Sequence, residues 1–245
     1  PPFCKYSYDE QNMALRNASP SFDHWLGTDK MGRDIFVRIL FGARISLAVG
    51  CLAAVINLIV GTIYGGIAGY VGGKVDMIMM RVVDIIYSVP SMLYIVLIML
   101  IFGASVVSIM LGISITCWID MARIVRQQVK SLKEQEFTMA AFVLGAGSSR
   151  ILLKHLLINT MGQIIVTVTL MVPQAIFTEA WLSFLGVGIS APMASWGTLA
   201  QDARELIMTY PMQTVYPMIA ICITIFSFNF VGEGLEKALD PKRKR

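Results

Sequence analysis

The side chains able to do chemistry are few in this sequence and stand apart from one another. His24 and His155 are the only histidines. The four cysteines, Cys4, Cys51, Cys117 and Cys222, include no Cys-x-x-Cys pair. Three of them sit inside apolar runs, where a thiol serves as a small hydrophobe. No His, Cys and carboxylate set has the spacing of metal ligands. No Gly-x4-Gly-Lys-Ser/Thr loop occurs, so the chain is not expected to hydrolyse ATP or to bind a cofactor of its own.

Glu179 is the one carboxylate inside a predicted membrane span, and acids at such positions are functional candidates by default. Its place near the outer end of the span favours a structural cap or an inter-subunit hydrogen bond over a substrate contact. Asn57, Gln163, Gln174 and Asn229 are the other polar candidates. They either line a polar path or tie helices together, and the residues alone leave both roles open.

The elements that must position these groups are membrane helices. The 245 residues are 56% hydrophobic, with mean hydropathy +0.68 and 15% charged side chains. A soluble domain carries about 25% charged residues. The shortage of charge, with uncharged runs long enough to span, predicts an all-α, polytopic helical membrane protein. The net charge of +4 reads as an orientation bias rather than a nucleic-acid surface.

The runs divide the chain. Residues 1–44 read as an external arm, irregular at first, ending in an amphipathic interfacial helix from Asp34 in which Ile35, Phe36, Ile39, Leu40 and Phe41 interleave with Arg33, Arg38 and Arg44. The membrane domain is expected over 45–232, with five spans near 45–71, 85–102, 105–122, 160–183 and 213–232. Gly61, Gly65 and Gly69 share one face of the first span, a spacing that admits close helix contact. Pro90 kinks the second span or marks its true start, and Pro173 interrupts the fourth. Residues 186–212, with Pro192 and Pro211, read as a surface excursion carrying a short helix near 198–208. Residues 233–245 form a polar, basic tail.

Counting Lys and Arg sets the orientation. One side receives thirteen, from the 74–84 connection, the 120–159 loop and the tail; the other receives seven. The richer side is expected to be cytoplasmic. His24 and His155 then face opposite sides and cannot pair. Trp25, Trp181 and Trp196 all fall near the outer boundary, as an aromatic belt would place them. An external arm also implies a further transmembrane helix upstream of residue 1.

The loop over 120–159 is the largest polar insertion, and it holds Arg123, Arg126, Lys130, Lys133, Arg150 and Lys154. Within it 132–144 is helix-compatible, with small Ala140 and Ala141 on one face. Gly145-Ala146-Gly147 is a break suited to a left-handed residue after a helix end. Ser148 or Ser149 can cap a second short helix carrying an apolar stripe of Ile151, Leu152, Leu156 and Leu157, with Arg150, Lys154 and His155 around it. Such a loop is either a handle for a partner protein or an ordinary connection packed on its own subunit.

Several stretches carry a resemblance. Met139-Ala140-Ala141-x3-Gly145, followed by Ser149, Arg150, His155-Leu156-Leu157 and Asn159, resembles the EAA loop of ABC-importer permeases. Met139 stands where that loop usually has Glu, and Ile158 where it usually has Pro. His24-Trp-Leu-Gly-Thr-Asp-Lys-Met-Gly-Arg-Asp34, Gly42-Ala-Arg-Ile-Ser46, Thr178-Glu-Ala-Trp-Leu-Ser-Phe-Leu-Gly186 and Ser195-Trp-Gly197 resemble the C-type permease of oligopeptide, dipeptide and nickel importers. The likeness runs from about residue 20 to Pro241.

The resemblance implies the type I ABC-importer transmembrane fold in a bacterial plasma membrane, with six spans counting an N-terminal helix. It also implies a second homologous permease subunit, two ATPase subunits that carry ATP and Mg, and an extracytoplasmic peptide-binding protein. The loop over 123–159 would dock on an ATPase subunit, with Glu134 or Glu136 standing in for the missing loop Glu. Peptide import is the expected function, with nickel or another small solute as the nearest alternative. An ion-coupled secondary transporter or a membrane scaffold is the alternative of a different class. The scarcity of intramembrane acids and the helix–Gly–helix loop both speak against it.

Overall fold

The structure is a computed structural model, described over residues 5–189 and 193–239. Cys4, the 190–192 part of the expected excursion including Pro192, and Pro241 with the basic Lys242, Arg243, Lys244 and Arg245 lie outside the described residues.

Eight helices organise the described chain: α1 (Ile35–Val71), α2 (Gly73–Ser88), α3 (Ser91–Phe102), α4 (Val106–Lys133), α5 (Glu136–Val143), α6 (Ser148–Phe184), α7 (Trp196–Ala203) and α8 (Pro211–Leu239). The one extended pairing among the described residues is an isolated bridge between Thr28 and Asp34. Helices α1, α4, α6 and α8 are long and apolar enough to cross a membrane. With no water in the hydrocarbon core, a helix is the form in which such a segment satisfies its own backbone.

Several boundaries differ from expectation. Helix α1 begins at Ile35 and runs unbroken through the expected start of the first span at 45, so the expected interfacial helix is continuous with it. The expected span over 85–102 is broken: α2 and α3 meet at a 75° bend and together make a fifth span only if counted as one. Pro90 disfavours helical geometry at the residue before it, and Val89 is extended (φ −93°, ψ 126°). Helix α4 runs eleven residues past the expected end at 122, so the loop helix starts at Glu136 rather than 132. Pro173 does not interrupt α6, nor does Pro217 break α8. Residues 233–239, expected in the tail, continue α8.

The chain forms two compact units. The first takes in the described parts of Pro1–Cys51, Ile95–Leu111 and Pro173–Ser227. Here the arm is fastened by backbone bonds from Asn17 N to Asp29 O (3.0 Å) and from Thr28 N to Ala18 O (3.1 Å). The Gln213 side-chain amide donates to Thr28 O (3.0 Å) and to Asn17 Oδ1 (3.1 Å). The expected surface helix over 198–208 is instead α7, and six of its eight residues are buried. Ser195 starts it: its hydroxyl accepts from Thr198 N (3.2 Å), and Thr198 Oγ1 accepts from Ser195 N (2.8 Å). That reciprocal pair satisfies two orphan donors of the first turn.

The second unit takes in Leu52–Tyr94, Gly112–Val172 and the described part of Phe228–Arg245. Its central contact is α1 on α4. A Cβ placed on Gly61 would lie 2.6 Å from Met121 Cβ, on Gly65 2.2 Å from Ala122 O, and on Gly69 2.7 Å from Arg126 O. The two backbones therefore meet along the glycine face, where lipid gives no hydrophobic drive and close packing must hold helices together. Beside this contact Met121, Val125, Val129, Ile151, Leu156 and Ile164 form a buried cluster.

Candidate functional site

The loop between α4 and α6 sits on that cluster. Helix α4 ends with Lys133, whose ammonium donates to Tyr70 O (2.6 Å) and lies 5.3 Å from the Tyr70 ring centre. Thr138 is buried and its hydroxyl donates to Leu132 O (2.8 Å), folding α5 back against the end of α4. At the other end of α5 Gly145 has φ +80°. Its N–H donates to Phe142 O, and the Ala146 N–H donates to Ala141 O, both at 3.0 Å. These crossed bonds satisfy the last carbonyls of α5 and require a left-handed residue, which glycine adopts freely.

The second helix of the loop is the start of α6 rather than a separate short element, and neither Ser148 nor Ser149 caps it. Gly147 holds the N-cap position with no side-chain bond. From Ile151 to Leu156 the ladder widens to i→i+5 spacing. That spacing aligns residues five apart, and Ile151 and Leu156 both enter the cluster.

The sequence candidates divide by exposure. Ala141 is a buried residue of α5, while Met139, Ala140, Gly145, Ser149 and Arg150 are exposed. His155 is half-buried, and its carbonyl accepts from the Asn159 side chain. Leu157 is half-buried against the cluster. The most exposed apolar residues of the loop, Phe142 (72%), Val143 (83%) and Leu144 (86%), were not singled out by motif. Their signal was the unbroken apolar run over 139–144 inside a polar insertion. Together with Met139 they leave an apolar knob exposed on the outer face and at the C-terminal end of α5.

The polar candidates Asn57, Gln163 and Asn229 belong to the second unit, and Gln174 and Glu179 to the first. In the second unit Asn57 is buried at a widened turn of α1 (Asn57–Gly61), with its amide nitrogen on Met171 Sδ and its Oδ1 unpartnered. Asn229 is half-buried in the same unit. In the first unit Gln174 is exposed and Glu179 is fully buried.

Glu179 has a structural setting. Ser46 donates to its Oε2 (3.1 Å) and Ser183 to its Oε1 (2.8 Å), and the Ser195 side chain also bonds to it. Ser46 Oγ in turn accepts from Trp196 N (3.3 Å). Three sequence motifs, around Ser46, Glu179 and Ser195, therefore meet at one carboxylate. The approach is close: a Cβ on Gly197 would lie 2.6 Å from Ala180 Cα. Trp196, expected in an aromatic belt, is 4% exposed, and its indole N–H donates to Ile39 O (3.0 Å). Trp25 and Trp181 are exposed.

The arm carries a second polar centre in the same unit. Asp29 Oδ2 accepts from Arg33 Nε (2.7 Å) and from an Arg38 guanidinium nitrogen (2.6 Å). Asp202 Oδ2 on α7 receives both arginines at 3.2 Å. Burial pushes the Asp29 carboxyl up, but the Arg33 N–H and the Arg38 and Arg33 charges outweigh it, so its pKa falls below the ordinary value. The neighbouring His24 ring pairs with Asp34 (2.7 Å) and stacks on Tyr6. Among the described residues no group of three His, Cys, Asp or Glu side chains could hold a metal ion.

Known proteins resemble this chain along its whole length. It is 51% identical over 245 residues to the oligopeptide transport system permease protein OppC of Bacillus subtilis, covering all of this chain and 80% of that one. It is 47% identical to the dipeptide transport system permease protein DppC of the same organism, covering 98% and 75%. In fold it is similar to a chain of the MetNI methionine ABC transporter in an inward-facing conformation, with TM-score 0.68 and 17% identity over 84% of this chain and 98% of that one. Residues 61–245 match the family described as binding-protein-dependent transport system inner membrane component. With that match covering most of the sequence, and with relatives this similar along all of it, the chain belongs to the family of inner-membrane permease components of binding-protein-dependent transport systems.

Proposed function

We propose that this chain is one of two homologous permease subunits of an ATP-driven importer of oligopeptides or dipeptides, and that α5 is its attachment to an ATPase subunit. The observation that carries the reading is the hydrophobic knob of Met139, Phe142, Val143 and Leu144, held on a short helix directly above the buried α4–α6 cluster. A partner that grips the knob moves the cluster, because Ala141 and Ala146 tie α5 to it. The peptide substrate is supported by the similarity to OppC and DppC. ATP and Mg belong to the two ATPase subunits, and an extracytoplasmic binding protein delivers the peptide.

The Lys and Arg asymmetry supports a cytoplasmic α5 and an external arm. Met139 points its thioether from the position where the EAA loop usually carries Glu. The carboxylate role passes to Glu136, in the first turn of α5, where the positive helix end favours an acid. The test is Phe142→Asp combined with Leu144→Asp. Both side chains are exposed, so the subunit folds and reaches the membrane, but ATPase subunits no longer co-purify and peptide uptake stops. Normal co-purification and uptake by this variant would overturn the assignment.

A further inference from the structure

The facing surfaces of α2 and α4 hold a charged pocket that α5 does not line. It is open, with a volume of about 500 Å³ between Asp84 and the row Arg123, Arg126 and Lys130. A second pocket of about 330 Å³ adjoins it and brings in Arg81 and Asp76. Together they lie within the range of about 300–1,000 Å³ typical of small-ligand sites.

The charges do not balance. Arg126 grips buried Asp76 with two nitrogens, and Lys130 reaches the same carboxylate at 3.5 Å. Arg123 pairs with Asp84 at 3.0 Å. Arg81 is exposed and has no ion pair among the described residues. Four cations thus face two carboxylates, and the pocket carries an excess of two positive charges.

Depth decides what fills it. On α2 the charges of Lys74, Asp76, Arg81 and Asp84 come to an end, and the run over 85–119 that follows is uncharged. On α4 the uncharged run over 106–119 stops, and charge resumes at Asp120 and Arg123. Arg123 pairs with Asp84, so both walls change from apolar to charged at one level, which is where a lipid headgroup lies. Tyr87 is exposed under the Arg123 guanidinium, 4.4 Å from ring centre to cation, as an interfacial aromatic sits. On the apolar side of that level α2 exposes Ile85 (69%) beside Tyr87 (59%). A free anion has no use for that apolar flank, whereas a lipid's acyl chains do.

We infer that this pocket binds the phosphate of an anionic glycerophospholipid, with Arg81 and Lys130 as the cations most available to it and the acyl chains along Ile85 and Tyr87. Basic pockets at the membrane surface attract such headgroups by about 1 kcal/mol per cation, which is roughly five-fold in affinity. The inference needs only that the chain spans a membrane, so it stands or falls apart from the importer reading.

The test uses the full chain, with its co-purifying subunits, in vesicles of phosphatidylcholine containing a photoactivatable phosphatidylglycerol. Labelling is expected on peptides covering 73–87 and 120–130. Unlabelled phosphatidylglycerol should compete, and neither phosphatidylcholine nor millimolar inorganic phosphate should. Arg81→Ala and Lys130→Ala should each weaken labelling roughly five-fold, and Arg81→Lys should retain it. The competition arm uses the unaltered protein and needs no variant to fold. Even labelling along all spans, displacement by inorganic phosphate, equal labelling by a phosphatidylcholine analogue, indifference to both alanine variants, or cross-linking of this face to a second permease chain would each overturn the site.

Discussion

The Ser46 hydroxyl donates to Glu179 Oε2 over 3.1 Å while it accepts from Trp196 N over 3.3 Å, so one hydroxyl links α1, α6 and α7. Glu179 has no exposed surface, and Ser183 holds its other oxygen. The arrangement makes the carboxyl a fastener rather than a lining group. Glu179→Ala leaves two or more buried hydroxyls without an acceptor, at about 1–3 kcal/mol each. Glu179→Gln retains one carbonyl acceptor and loses less. Heating followed by fluorescence-detected size exclusion should rank the proteins wild type, then Gln, then Ala. An alanine variant as stable as wild type but unable to transport would instead assign Glu179 to the pathway.

The glycine face of α1 makes a sharper stability prediction. A methyl group on Gly65 would meet Ala122 O at 2.2 Å, and that atom is backbone. Helices α1 and α4 must separate to admit it. Gly65→Ala should cost at least the roughly 1–3 kcal/mol of an overpacked core, and Gly65→Leu should prevent folding. Gly234 in α8 has nothing within 4 Å of a built Cβ. Gly234→Ala should be neutral or stabilise by up to about 1 kcal/mol through helix propensity. The thermal-stability assay that ranks the Glu179 variants reads both.

Local pattern carried much of the architecture. The uncharged runs became the long helices, the Gly61, Gly65 and Gly69 spacing became the α1–α4 contact, and Gly145 became the turn after α5. What was not legible depended on distant partners. Arg38 reads as the charged face of an interfacial helix, yet it is 3% exposed because Asp29 and Asp202 neutralise it, the second from 164 positions away. The same holds for Trp196, whose belt-like spacing gave way to burial once Gly197 let α7 approach Ala180. In the loop, 132–144 reads as one helix because nothing local shows that α4 will continue to Lys133 and bond Tyr70. The convergence of three motifs on Glu179 is likewise a property of the fold, not of any window of sequence.

Acid should loosen the arm. The folded Asp29 pKa lies below its ordinary value because two guanidinium groups and backbone N–H bonds favour the charged form over the burial that opposes it. A depressed carboxyl contributes stability above its unfolded pKa of about 3.9 and loses it as pH falls through the folded value. Hydrogen-exchange protection of residues 17–34, taken relative to the intrinsic amide rate at each pH, should therefore be flat from neutral pH down to about pH 4 and fall below it. Asp29→Asn should exchange faster at neutral pH and lose the acid-dependent step. An unchanged step in that variant would assign the acid response to another group.

Gly145 should control the attachment helix through its backbone alone. Its φ of +80° lies in the left-handed region, and nothing stands within 4 Å of a built Cβ, so a substitution meets strain but no clash. Gly145→Ala should cost about 1–2 kcal/mol, the left-handed penalty of an L-residue. Gly145→Asn should cost less, because asparagine tolerates that conformation. Gly147 has equally open space and sits at φ −67°, so Gly147→Ala should be tolerated. The penalty falls on the crossed bonds to Ala141 and Phe142, and amides of the last turn of α5 should exchange faster in the order Gly145, Asn, Ala. If α5 is the coupling element, ATPase stimulation by peptide should fall in that same order while spans far from the loop keep their protection. Loss of protection throughout both units would mean that Gly145 supports the fold at large and not the attachment helix in particular.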